Sequence, residues 1–281
     1  SARNDTLRRR ARRAPHARGY SASATSTAAA MPDWIAPIDA SGAFLDGNGL
    51  VPIDAAHRSA LPHRGIWLHV LTQNYELLLV RRSSKMATCP DSLSIVGEHM
   101  SGREKEEHAA RRGIREELPG FVSLMGTPAL TLTPLRPGRS SRWFLYDYPL
   151  SADGVQRYDR CLMSEFVVRL PTMNSSHALK LLHAGREKEL EHEASTIEFV
   201  PLNHVIRRLR RDPQSFCAPP LFPSALLDSY RDLCAVLRQE GASKVPIPTV
   251  CSTAASSVSP AMPEALDESL VVKGANRTDT T

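Results

Sequence analysis

The chain has 281 residues, a mass of 30.9 kDa and 42% hydrophobic residues, enough for one moderate domain or two small ones with a real core. It contains no run of 18 apolar residues, so the sequence predicts no membrane-spanning helix. The formal net charge of +5 is local: residues 1–30 hold seven arginines and one acid, Asp5, while the remainder sets 28 basic against 29 acidic residues, with no electrostatic sign of nucleic-acid binding.

Residues 1–31 read as a disordered or removable leader. Their Arg-rich, Ser-rich, acid-poor composition is that of an organellar transit peptide, and Arg18-Gly-Tyr-Ser is similar to a mitochondrial presequence cleavage region. Mitochondrial location is the expectation; a cytoplasmic protein starting at Met31 is the alternative. Five cysteines, scattered and never in a CxxC pair, predict neither a disulfide framework nor a zinc knuckle and suit a reducing compartment.

The folded part is expected over 33–238. Gly65 to Val80 reads as two strands around a turn at Gln73-Asn74, and Asp91 to Val96 as a short strand. A helix follows over 104–118, with Ala110, Ile114 and Leu118 at spacings of four on one apolar stripe. Strands are predicted at Leu130 to Thr133, Trp143 to Tyr148, 161–170 and Thr196 to Val200. Helices are predicted at Ala178 to Glu193, Leu202 to Arg211 and Ser224 to Gln239. From 240 the chain turns Ser-, Ala-, Pro- and Thr-rich and reads as a disordered tail. The alternation predicts an α/β architecture, a mixed β-sheet flanked by helices.

The chemistry concentrates in GEHMSGREKEEHAARRGIREELPGF, Gly97 to Phe121. Adjacent carboxylates at Glu116 and Glu117 repel each other unless solvated or neutralised by a divalent cation. On charge alone a solvated helix face is the commoner reading. The segment, however, resembles the Nudix box, G-x5-E-x7-R-E-U-x-E-E-x-G-U with U aliphatic. Glu104 stands at its first glutamate, Arg112 at its arginine, Ile114 at U and Glu116-Glu117 at the paired glutamates. Gly120-Phe121 matches the closing pair after one inserted residue. The box departs at Glu98, where the pattern opens with glycine, and at Gly113, where it carries a glutamate.

The resemblance implies a Nudix-type α/β/α sandwich and Mg²⁺- or Mn²⁺-dependent hydrolysis of a phosphoanhydride in a nucleoside-diphosphate-linked substrate. Glu116 and Glu117 would hold the metal, together with His99, while Glu104 and Arg112 would organise the motif. A glycine at 113 cannot accept a proton, so another base is expected. Glu193 ranks first, with Glu98, Glu106 and Glu165 as alternatives. The partner implied is a small-molecule diphosphate, not nucleic acid or a membrane; no feature bears on oligomeric state.

The stretch from 33 to 230 looks closest to the branch containing the type I isopentenyl-diphosphate isomerases, through HR, LLL, RRS-K and GH-type landmarks between His63 and Gly102 and through HEASTIEFVPLNHVIRRLRRDPQSFCAPP, which resembles its closing strand and helix. Those enzymes bind a divalent metal through three histidines and two glutamates. His57, His63 and His99 fall near the histidine positions and Glu165 matches one glutamate, while Met163 replaces the other. Gly97 stands where the branch carries its catalytic cysteine. Arg82 and Lys85 sit where it binds the substrate diphosphate. The remaining readings are thus a catalytically weak or inactive nucleotide- or partner-binding module, and an isomerase-like enzyme.

Overall fold

The computed structural model describes residues 34–239, apart from 46–48, 87, 127–129, 137–141, 151–153, 184–193 and 218–222. The expected leader and tail, Glu193 and the charged stretch after His183 lie outside the described residues.

One sheet organises the fold. Strand β3 (His63–Leu71) is its centre. The run Ile66–Leu71 is buried on both faces, which is why it reads as apolar apart from His69. A turn in which Tyr75 adopts φ 59° leads into β4 (Glu76–Arg82). The two strands pair only at Leu71↔Leu77 and then part. Into the opening come β5 (Leu93–Ser94) against β4 and β6 (Val96–His99) against β3. On its other side β3 pairs in parallel with β9 (Tyr158–Arg169) through nine register pairs, from His63↔Cys161 to Leu71↔Arg169. Strands β7 (Thr131–Pro134) and β8 (Arg142–Asp147) pair with β9, and β10 (Ala194–Pro201) pairs with β4. A short pair, β1 (Trp34–Ile35) and β2 (Val51–Pro52), precedes helix α1 (Ile53–Arg58).

Side-chain alternation along the central strands feeds two cores. Ile66, Leu68, Phe166 and Val168 face helices α2 (Glu106–Glu117) and α3 (Ser175–His183). Trp67, Leu71, Met163 and Val167 face α4 (Leu202–Arg211) and α5 (Pro223–Gln239). Helices therefore cover both faces, giving the α/β/α sandwich expected. The predicted strand at 161–170 begins three residues earlier, at Tyr158, which changes the candidate ligands below. β1, β2 and α1 were absent from the sequence reading because each is too short to show a period.

The absence of a disulfide, expected from cysteine spacing, is corrected: Cys89 and Cys217, 128 residues apart, are bonded. Spacing cannot show such a pair, because folding alone brings the two segments together, with Cys217 N–H donating to Leu93 O at 2.7 Å. At the far end of the β3–β9 pair, buried His69 and Glu165 are 2.9 Å apart. Arg142 donates to Glu165 at 3.1 Å and to Asp232 of α5 at 3.2 Å, fastening that helix to the sheet.

Gly120 begins the closing loop of the α2 motif, in a 3-10 turn over Pro119–Leu124. A Cβ there would lie 1.6 Å from the Leu181 carbonyl oxygen, whereas one at Gly126 would meet nothing within 4 Å. Gly120→Ala must displace backbone of α3. It should lower unfolding free energy by about 3 kcal/mol or more, while Gly126→Ala stays within about 0.5 kcal/mol. Urea denaturation of the two variants checks this.

Candidate metal centre

Three imidazoles and one carboxylate converge where α1, β3, β6 and β9 meet. His57 is in the last turn of α1. The chain then reverses through Ala60 (φ 52°) and enters β3 at His63. His99 ends β6 and Asp159 stands near the start of β9. The ligand atoms of these four residues all lie within 4.8 Å of one another. Asp159 Oδ1 is 3.4 Å from His63 Nε2 and 4.0 Å from His57 Nε2, while Oδ2 is 3.8 Å from His99 Nε2.

Local structure fixes which ring nitrogen faces inward. His63 Nδ1 lies 3.0 Å from the Leu61 carbonyl. A carbonyl only accepts, so Nδ1 carries the proton and Nε2 presents a lone pair to the cluster. Such a partner orients ligating histidines generally. His57 Nδ1 is 3.4 Å from the Tyr148 hydroxyl.

The centre passes a test of fit for a metal ion. His57 Nε2, His63 Nε2 and Asp159 Oδ1 are buried without a hydrogen-bond partner. Burying polar atoms unsatisfied is costly, and a cation among them would satisfy all three at once. Burial pushes the His63 pKa down to about 4 despite the neighbouring Asp159, and it lowers that of His57. Burial alone would raise Asp159, but the His99 hydrogen bond and the imidazole charges hold it below its ordinary value. Near neutral pH the cluster is thus two bare imidazoles and an ionised carboxylate, the forms that ligate metal. A donor set rich in imidazole suits Fe²⁺ or Zn²⁺ better than Mg²⁺.

The Nudix-box resemblance grouped His99 with Glu116 and Glu117, and the isomerase-like resemblance grouped it with His57 and His63; folding brings it together with His57, His63 and Asp159. Glu116 is exposed and accepts from Arg112 at 2.8 Å, and Glu117 is half-buried at the end of α2. Arg112 also donates to Glu104 at 2.7 Å and to the His99 carbonyl at 2.6 Å, and lies 3.4 Å from Glu98. Burial disfavours its charge, but the surrounding acids outweigh that and hold it protonated. Glu165 lies six residues beyond Asp159 on the same strand, about 20 Å away at the usual rise, and is engaged by His69 and Arg142. Met163 packs in the core. Among the base candidates, Glu106 accepts from Arg64 and Ser164.

Asp159 is the ligand that sequence reasoning missed. Starting the strand at Tyr158 puts Asp159, Cys161, Met163 and Glu165 on one face, so alternation run back through YDRCLM was the available signal.

The centre opens into a cleft of about 120 Å³. Trp67, Met163, Tyr230, Arg82, His99 and Asp159 are among the residues that line it. Arg82 Nε donates to Thr88 O at 2.7 Å, whereas Lys85 is exposed on the turn beyond. Cys217 of the disulfide lines the same wall.

No protein-family model and no curated protein matches the chain. Solved structures do. DR0079 from Deinococcus radiodurans is 18% identical over 64% of this chain and 90% of its own, with a TM-score of 0.41. A mutT/nudix family protein from Listeria innocua is 16% identical, covering 64% and 96%, at 0.36. RenU, a Nudix hydrolase from M. Smegmatis, is 14% identical, covering 76% and 98%, at 0.33. At these identities and scores the likeness bears on neither substrate nor mechanism.

Titration of the chelated protein with Mn²⁺ or Zn²⁺ should show one tight equivalent, lost in His63→Gln and Asp159→Asn and kept in His183→Gln. Calorimetry reads this directly. Metal-free stability should also depend on pH. The unfolded chain binds protons at His63 and His57 near 6.5, while the folded one resists until lower pH, about 4 for His63. Stability is therefore held above pH 6.5 and declines as pH falls toward 4. Urea titrations with chelator present should show that decline, flattened in His63→Gln.

Proposed function

We propose that this chain is a metal-dependent Nudix-type hydrolase that cleaves a phosphoanhydride in a small diphosphate-linked substrate. The observation that carries the reading is the buried set of partnerless donors on His57, His63 and Asp159, opening with His99 into a cleft that Arg82 also lines. A bound ion there would polarise phosphoryl oxygens and lower the pKa of a bound water.

The chain's own side chains divide the remaining work. Arg82 offers a planar fork of donors to a phosphate, and Lys85 adds charge on the approach. Glu116 and Glu117, at the end of α2, suit a second, harder ion such as Mg²⁺ carried in by the phosphates. Arg112 keeps Glu104 and Glu116 in place and ties α2 to His99. The apolar floor formed by Trp67, Met163 and Tyr230 excludes water from one side of the cleft.

The imidazole cluster also favours a second reading, an isopentenyl-diphosphate isomerase-like enzyme. Against it stands Gly97, where a Cβ would lie 3.1 Å from Trp67 Cδ1. A side chain at 97 would need the indole to give by a few tenths of an ångström, and the glycine present offers no acid or thiol, so proton transfer at a prenyl carbon lacks a group from that position.

Incubation with a panel of nucleoside-diphosphate-linked compounds and Mn²⁺ or Mg²⁺ separates these readings. Hydrolysis should appear, vanish with chelator, and fall in Asp159→Asn by more than the roughly 10–100-fold that outer-shell changes cost. Isopentenyl diphosphate should remain unconverted. Tight binding of a panel compound without turnover would make the chain a binding module instead.

A further inference from the structure

The bond between Cys89 and Cys217 joins two segments that meet at the cleft: the turn between β4 and β5, and the residues that follow α4. Thr88 and Cys217 both line the cleft. Cys217 is partly exposed and Cys89 is buried, so Cys217 is the side from which a thiolate can approach the bond. The turn itself is held against its preference. Cys89 and Asp91 have φ of 46° and 58°, in the left-handed region that side chains other than glycine occupy at a cost. Such backbone persists where its surroundings over-determine it. Here Tyr146 Oη accepts the Cys89 N–H at 3.1 Å and Asp91 O accepts from Arg81 at 2.8 Å, while the disulfide is the covalent tie. Thr88, next to Cys89, takes the Arg82 Nε on its carbonyl at 2.7 Å. The turn that the disulfide fastens therefore sets where the Arg82 guanidinium stands in the cleft.

We propose that the Cys89–Cys217 bond is a thiol-operated switch on the cleft. Oxidised, it holds the Thr88–Asp91 turn so that Thr88 O positions Arg82 for a substrate phosphate. Reduced, it lets the turn relax, Arg82 loses that aim and phosphate affinity falls. The inference rests on the hydrolase reading above and adds regulation of the same site. The reductant is a dithiol. Its thiolate attacks one sulfur of the pair, forms a mixed disulfide and releases the other cysteine as a thiolate, which takes up a proton. Its second thiol then displaces the remaining cysteine, so two electrons and two protons pass to the pair and the reductant leaves as a disulfide.

The test uses the full-length protein, kept oxidised or treated with dithiothreitol under native conditions. Alkylation and peptide mass spectrometry read the state of Cys89 and Cys217. Calorimetry reads the binding of imidodiphosphate with Mn²⁺, a probe that is not hydrolysed. The bond should open in the folded protein, and Kd should rise by about 10-fold or more, the worth of a charge-assisted hydrogen bond, and recover on reoxidation. Cys217→Ser should bind like the reduced protein and ignore dithiothreitol. In Arg82→Gln the oxidised protein should already bind weakly, and reduction should change Kd by less than about threefold. Closing a loop between residues 128 apart also stabilises the fold, so a lower thermal midpoint on reduction accompanies a purely structural bond too, and affinity decides. A bond that opens only after unfolding, an unchanged Kd with both thiols confirmed, no probe binding in either state, or a full response kept in Arg82→Gln overturns the proposal. If the reduced protein and Cys217→Ser do not stay folded, Tyr146→Phe decides with the bond intact, because it removes another tie on the turn: weaker probe binding supports the proposal and unchanged binding overturns it. Redox-dependent probe binding without turnover of any panel compound would end the hydrolase reading and keep the switch; turnover with redox-independent binding would do the reverse.

Discussion

Everything in this molecule hangs on the parallel pairing of β3 with β9. Nine residue pairs run side by side through the centre of the sheet, buried on both faces. Because alternate side chains point to opposite faces, one pairing supplies both cores: Ile66 with Phe166 toward α2 and α3, Trp67 with Met163 toward α4 and α5. The same register sets the polar groups. At one end His63 starts β3 beside Cys161, which brings Asp159 against the histidines. At the other, His69 meets Glu165 and, through Arg142, secures α5. A slip of one residue would turn each of these groups to the wrong face.

The second constraint is the close seat of α2. Ala109, Ala110 and Gly113 present little side chain to β3 and β6, so the helix approaches the sheet closely. That approach brings Arg112 Nη2 to both the His99 carbonyl and Glu104, while Nη1 holds Glu116. The guanidinium therefore couples the acidic helix to the strand that carries an imidazole of the metal centre. Two chemically different groups of candidate ligands, oxygen-rich on α2 and imidazole-rich around the ends of β3 and β6, are linked by the Arg112 side chain. The site lies where β3 and β4 part, because a sheet that splays leaves room for β5, β6 and a cleft.

Much of this was legible. The two-strand run at Gly65 to Val80 and the helix near 104–118 carried strong periodic signals, and both exist within a few residues of their expected bounds. Glu104, Arg112 and Glu116 were grouped by spacing and do meet through Arg112. His57, His63 and His99 were each named, but nothing local showed that three residues spread over 43 positions share one point. Asp159 was not named, since the strand was read as starting at Cys161 and its alternation was not run back to Tyr158. Glu165, matched to a glutamate of the isomerase-like branch by resemblance, is instead engaged by His69 and Arg142. Cys89 and Cys217 carried no signal at all, for nothing near either records a partner 128 residues away.

The division has a physical reason. Sequence by itself determined what short-range periodicity and composition can carry: the alternating elements, the apolar centre of the sheet, the acidic α2 motif with its arginine, and the glycine within it. Those features depend on residues within one or two turns of each other. Tertiary structure alone decided which distant groups share a dehydrated point. Only the β3–β9 register and the turn after α1 bring Asp159 to His57, His63 and His99. Only the seat of α2 on β6 makes Glu98 the neighbour of Gly113, a contact across fifteen residues of chain.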